Sequence, residues 1–232
     1  MVIHQSESPE TVYITLLGTP ALIADGESIP FERRKTIALL AYLLVSGGPQ
    51  RRDQLATLLW PEADSASARA NLRRALAELT GLIRPWLNVS TDAIEVQPDQ
   101  RLTSDVQQFR LLLGCLEPRD SALTPICKAQ IEQAVALYRA DFLDGFVLPD
   151  SPDFEEWQFF QAEELRRSLA TALDLLSRPG TVADSAAINY ARRWLALDSL
   201  DEEPHRRLMQ LYAQSGQQSA ALQIGASGRW DR

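Results

Sequence analysis

RRDQLATLLWPEADSASARANLRRALAEL, residues 51–79, holds two helical patterns separated by a proline break. A short helix fits about Arg52–Leu59, and Pro61–Asp64 breaks it. A longer helix fits about Ser65–Ile83, with Asp64 placed as its N-cap. On that helix Ala68, Leu72, Ala75, Leu76, Leu79 and Ile83 fall on one face, which should pack on a core. The opposite face carries Ser67, Ala70, Asn71, Arg73, Arg74, Ala77 and Glu78. Upstream, a helix from about Arg33 to Ser46 puts Ile37, Leu40, Ala41 and Leu44 together, and Gly47-Gly48-Pro49 stops it. Downstream, Trp86–Ser90 and Ala93–Val96 read as two short strands joined at Thr91-Asp92. Helix, short helix, turn, longer helix and hairpin is the winged-helix plan.

At the N-terminus, residues 1–11 read as a flexible tail, and Val12–Leu17 as a strand. Ala21–Ala24 and Glu27–Phe31 read as a hairpin about Asp25-Gly26, a pair suited to a type I′ turn. From about Ser104 the pattern turns wholly helical. Helices fit Val106–Leu116, Pro125–Ala140, Asp153–Ser177, Val182–Leu197, Glu203–Ser215 and Gln217–Gly225. Ala187-Ile188 and Ala221-Leu222 lie 34 apart, and Leu173/Leu176 and Leu208/Leu211 lie 35 apart, the period of tetratricopeptide helix pairs. The expected fold is mainly α. An α+β winged helix over 12–103 precedes an all-α, tetratricopeptide-like domain over 104–232.

With 232 residues, 45% of them hydrophobic, the chain can bury two small cores. No run of 18 uncharged apolar residues exists, and MVIHQSESPE does not read as a signal peptide. Cys115 and Cys127 are too few for a disulfide framework or a four-ligand zinc site, and read as small buried hydrophobes. These features point to the cytoplasm and to no membrane. Net charge is −8, but it is unevenly spread. Residues 31–84 hold nine Lys/Arg and five Asp/Glu, a net of +4, whereas residues 106–232 hold 13 basic and 18 acidic, a net of −5. A basic patch on an acidic chain fits a localised DNA footprint, though a plain solvated surface produces the same charge pattern.

The polar face of the long helix has the chemistry of a major-groove reader. Asn can pair with adenine and Arg with guanine, while Ala70 and Ala77 let the backbone come close. Arg51 and Arg52 open the preceding helix, where phosphate contact fits. Many amphipathic helices of such composition are simply surface helices.

The sequence itself goes further. RRKTIALLAYLL (33–44) and the 51–79 stretch closely resemble the DNA-binding domain of SARP-type bacterial regulators, an OmpR-like winged helix. SDVQQFRLLL (104–113), ALYRADFLDGFVLPDSPDFEEWQ (136–158) and YARRWLALDSLDEEPHRRLMQLYAQSGQQSAAL (190–222) resemble the bacterial transcriptional activator domain that follows it. The resemblance runs over about residues 12–224, in family order. It implies a transcription regulator, usually an activator, that binds direct repeats in double-stranded DNA and recruits RNA polymerase. By position, Arg69–Leu79 would be the recognition helix and Ser90–Asp92 the wing tip. Ser67, Ala70, Asn71, Arg73 and Arg74 would then read bases, while Arg33, Lys35, Arg51, Arg52, Arg69 and Thr91 would meet phosphate. The implied partners are double-stranded DNA, RNA polymerase and a second copy of the chain on DNA. The tail Gly225–Arg232 does not continue the family's last helix, and no ATPase or sensor region is read here.

No catalytic or cofactor constellation is legible. His4 lies in the tail, His205 reads as structural, and there is no G-x-x-x-x-G-K-[ST] motif. Trp60, Trp157 and Trp194 read as core anchors, and Glu155-Glu156 and Glu163-Glu164 as solvated helix faces. The competing reading is an interaction adaptor: tetratricopeptide-like helices joined to a winged helix that no longer grips DNA. The overall acidity keeps it open, and the +4 segment argues against it.

Overall fold

A computed structural model describes residues 9–116 and 123–221. Seven strands and eight α-helices are assigned among them. β1 (Val12–Thr15), β2 (Ala21–Ala24) and β3 (Glu27–Ile29) form an antiparallel meander. The β2–β3 turn has positive φ at both Asp25 (50°) and Gly26 (88°), as a type I′ hairpin requires. The Asp25 carboxylate accepts from the Thr11 amide at 2.8 Å and fixes the turn to the chain entering β1.

α1 (Arg34–Ser46), β4 (Gln50–Arg51), α2 (Arg52–Leu59) and α3 (Ser65–Ile83) follow. The expected bounds of α2 and α3 hold. Asp64 caps α3 as the sequence suggests: its Oδ1 accepts from the Ala66 and Ser67 amides. β5 (Leu87–Val89) and β6 (Ala93–Val96) make the second hairpin, and β4 extends it to a sheet of order β4-β6-β5. β7 (Leu102–Ser104) joins β1 in parallel and completes a sheet of order β3-β2-β1-β7. α1, α2 and α3 close over Leu39, Leu40, Leu43, Leu55, Leu72 and Leu79, none more than 1% exposed. The architecture is the expected winged helix followed by helices.

Beyond it lie α4 (Asp105–Leu113), α5 (Pro125–Leu137), α6 (Pro152–Ser177), α7 (Asp184–Leu197) and α8 (Glu202–Gln214). Residues 218–221 begin a further helical turn. The remainder of the helix expected over Gln217–Gly225 lies outside the described residues, as do His4 and Gly225–Arg232.

The chain divides into two compact units, and the division interleaves along the sequence. One unit holds residues 1–111 and 137–162; the other holds 112–136 and 163–232. The first therefore recruits a segment from far beyond its hairpin. Leu17 bridges Phe142 in antiparallel fashion, and the Leu143 amide donates to Leu16 O at 2.8 Å. Trp157 meets the rings of Tyr42, Phe142 and Phe154 at 4.8, 5.7 and 5.2 Å. Asp105, 3% exposed, accepts from the amides of Leu16, Leu17 and Val106. Burial pushes its carboxyl above the usual range despite those three donors.

In the second unit, Ala187, Ile188, Ala191, Leu208, Leu211 and Tyr212 make one core between α7 and α8. Arg207 is held by Asp174 Oδ1 at 2.9 Å and lies over the Trp194 ring. Two expectations need correction. Cys115 and Cys127 are not separate buried thiols: they are bonded to each other, with Cα atoms 5.6 Å apart. A twelve-residue separation on helical segments gave no hint of that meeting. Trp60, Trp157 and Trp194 are half-buried, and among the described residues Trp86 is the buried tryptophan, at 4%.

Candidate nucleic-acid interface

The interface is built on α3. Its apolar residues Ala68, Leu72, Ala75, Leu76, Leu79 and Ile83 are all buried, as the wheel requires. That packing turns a strip of small residues outward, with Ala66 and Ala77 exposed and Ala70 half-buried. Arg73 and Arg74 are both exposed and flank this strip. Arginines bordering an alanine floor can reach base edges while the backbone lies close.

The two flanks differ. Arg73 shares a cleft of about 320 Å³ with Arg51, Arg52, Arg69, Thr91 and Asp92, where the start of α2 meets the β5–β6 turn. The Arg52 amide donates to Asp92 O at 2.9 Å, and its guanidinium to Ser90 O at 3.4 Å. These bonds tie the wing to α2. Arg69 pairs with Asp53 at 3.0 Å, both more than half exposed, so this pair is weak and can be exchanged. On the other flank, Arg74 Nη1 donates to Asn71 Oδ1 at 3.0 Å. That bond orients the guanidinium and, among the described residues, leaves its remaining donors without a partner. Ser67 hydrogen-bonds Asp64 Oδ2 at 2.7 Å, so its hydroxyl serves the cap. This hydrogen bond is the main reason the Asp64 carboxyl sits below its ordinary range.

Arg33 and Lys35 have different surroundings. Arg33 Nη1 lies 3.2 Å from Glu78 Oε2, a carboxylate that also accepts from the Glu32 amide and the Thr36 hydroxyl. Lys35 Nζ pairs with Asp150 at 2.7 Å and donates to Leu59 O at 2.5 Å. Asp150 is thereby held below its ordinary pKa. Glu78, on the face read as outward, acts as a strut between α3 and α1. The sequence could have flagged it only as an acid among arginines.

Residues 104–228 match the bacterial transcriptional activator domain. The chain belongs to that family. It is a family of transcription regulators, which is no enzyme class. Among solved structures, Mycobacterium tuberculosis EmbR in complex with a low-affinity phosphopeptide is similar in fold, with a TM-score of 0.69 at 22% identity. The match covers 92% of this chain and 57% of that one. No curated protein sequence matches. Together the family and the fold bear out the resemblance to SARP-type regulators. Among the described residues no helix is long and apolar enough to cross a membrane.

Proposed function

We propose that this activator-domain protein is a sequence-specific DNA-binding transcription regulator, with α3 as its reader. The observation that carries the reading is the outward strip Ala66, Ala70 and Ala77 of α3, bordered by Arg73 and Arg74. In this reading α3 enters the major groove, and Arg74, oriented by Asn71, pairs with a guanine edge. Arg73 reads the neighbouring step. Ser67 and Ala70 pack close to the bases. Arg51, Arg52, Arg69 and Thr91 take phosphates on the wing side. Arg33 and Lys35 would have to exchange Glu78 and Asp150 for phosphate, so their contribution is smaller. The helical domain contacts RNA polymerase in the cytoplasm, and two copies sit on a direct repeat. The test is gel retardation of the full chain with promoter fragments. A band that survives excess scrambled duplex supports the reading; capture of both duplexes alike, or of neither, overturns it.

A further inference from the structure

A second cleft, of about 360 Å³, opens on the far flank of α3, within the unit formed by residues 1–111 and 137–162. That volume suits a small organic ligand. Most of its surface is apolar, and Trp60, Val147, Leu148 and Pro149 are among the residues that line it. Val147 is 55% exposed although it lines this wall, so an apolar side chain stands uncovered there. The rim is basic. Arg34 and Arg74 both reach it, and neither has a carboxylate at ion-pair distance among the described residues. Arg34 instead rests on the Phe146 ring, 5.2 Å from its centroid. The one acid on the wall, Asp150, is already neutralised by Lys35 at 2.7 Å. The wall itself is fixed: Ser151 Oγ donates to Leu59 O at 2.9 Å, and the Leu148 amide donates to Glu155 Oε1 at 3.0 Å.

An apolar trough with two guanidinium groups at its mouth, neither in an ion pair among the described residues, matches an amphipathic anion. Nucleic acid alone leaves the apolar wall unused. We infer that this cleft is an effector site for a small organic acid with an aromatic or alicyclic body and one carboxylate, sulfonate or phosphate. The body lies against Trp60, Val147 and Pro149, and the anionic group spans Arg34 and Arg74. Because Arg74 belongs to both the cleft and the reader helix, the ligand and DNA compete for it. Occupancy therefore releases DNA. This last step rests on the function proposed above, but the binding site does not.

The probes are naphthalene-2-sulfonate and its uncharged counterpart 2-naphthalenemethanol, titrated calorimetrically into the full chain. The sulfonate should bind at least about tenfold tighter than the alcohol, the scale of a charge-assisted contact. Val147→Trp fills the trough from an exposed position and should abolish sulfonate binding while leaving the thermal melt and DNA binding intact. Arg34→Ala should remove the preference for the sulfonate without altering the alcohol. Equal binding of both probes, or sulfonate binding unchanged in both variants, overturns the site. So does no binding at millimolar concentration. Gel retardation without any probe is read separately: a chain that binds DNA but not the sulfonate refutes only the effector site. A chain that binds the sulfonate at this cleft but no DNA refutes only the reader.

Discussion

Replacing Arg74 by Ala should change which DNA the protein prefers while leaving its fold alone. Arg74 is exposed, and among the described residues its side chain makes one hydrogen bond, to Asn71 Oδ1 at 3.0 Å. Exposed substitutions of this kind stay within about 0.5 kcal/mol in stability. With one Nη1 hydrogen engaged, Nη2 and Nε remain for a paired contact to a guanine. Such a contact discriminates by roughly 1–3 kcal/mol, or about 5- to 150-fold. Asn71→Ala removes the orienting bond alone and should cost about 0.5–1.5 kcal/mol of affinity. If Asn71 acts through Arg74, the two losses are not additive, and the coupling should reach about 0.5 kcal/mol or more. The assay is fluorescence anisotropy on a labelled site, competed with scrambled duplex, for both single variants and the double. Arg52→Ala is the contrast: it should weaken both duplexes alike and lower the log–log salt slope by about one unit. Leu76→Ala, at a position 5% exposed, is the folding control and should cost roughly 2–5 kcal/mol of stability. An Arg74→Ala variant that melts normally and keeps the wild-type ratio between site and scrambled duplex would show that Arg74 does not read DNA.

Three further outcomes follow from the packing. A chain cut after residue 103 loses Phe142, Leu143, Phe146, Leu148 and Phe154 from its core, each at most 6% exposed. At roughly 1.5–3 kcal/mol per side chain this equals the whole stability of a small domain, so its thermal melt should lose cooperativity; a sharp melt near the full-length midpoint would contradict the packing. Reduction of the Cys115–Cys127 bond reopens a loop of sequence separation 12 and should cost about 3 kcal/mol in denaturant titrations. An unchanged midpoint would show that the bond is not formed. The third concerns pH: Asp105 is raised above 3.8 by burial, so the folded state holds its proton longer than the unfolded one, and its contribution to stability falls as pH rises through that window. Asp64 and Asp99 are depressed, chiefly by hydrogen bonds from the Ser67 hydroxyl and the Arg101 amide respectively. Their stabilisation is full above 3.8 and lost as pH falls through their folded values. Carboxyl carbon shifts followed by NMR should place Asp105 above 3.8 and the other two below it; the reverse order would refute these surroundings.

The helices of the winged helix were legible because their signals are local. Asp64 followed by an α-periodic apolar set defines α3, and Asp25-Gly26 defines a turn whose φ angles are both positive. β4 and β7 were not legible. They are two and three residues long, and β7, with sequence Leu-Thr-Ser, exists because β1 pairs with it in parallel from ninety residues away. The recruitment of residues 137–162 into the first unit was hidden for the same reason. Nothing local tells Phe142 to pair with Leu17 or Trp157 to meet Tyr42. Within the candidate interface the wheel separated core from surface on α3. It could not show that Glu78 and Asp150 engage Arg33 and Lys35, because a side chain's acceptors lie on other elements.

In the proposed function α3 reads DNA sequence. The most direct measurement selects a duplex from a random pool with the full chain, then takes the affinity ratio of that duplex over a scrambled one at fixed salt. The wild type and an Arg73→Ala/Arg74→Ala double variant of matched thermal stability are compared. If α3 is the reader, the wild-type ratio is about 10³ or more and collapses by at least about tenfold in the double variant. A wild-type ratio near one, or a high ratio that the double variant keeps, would contradict it.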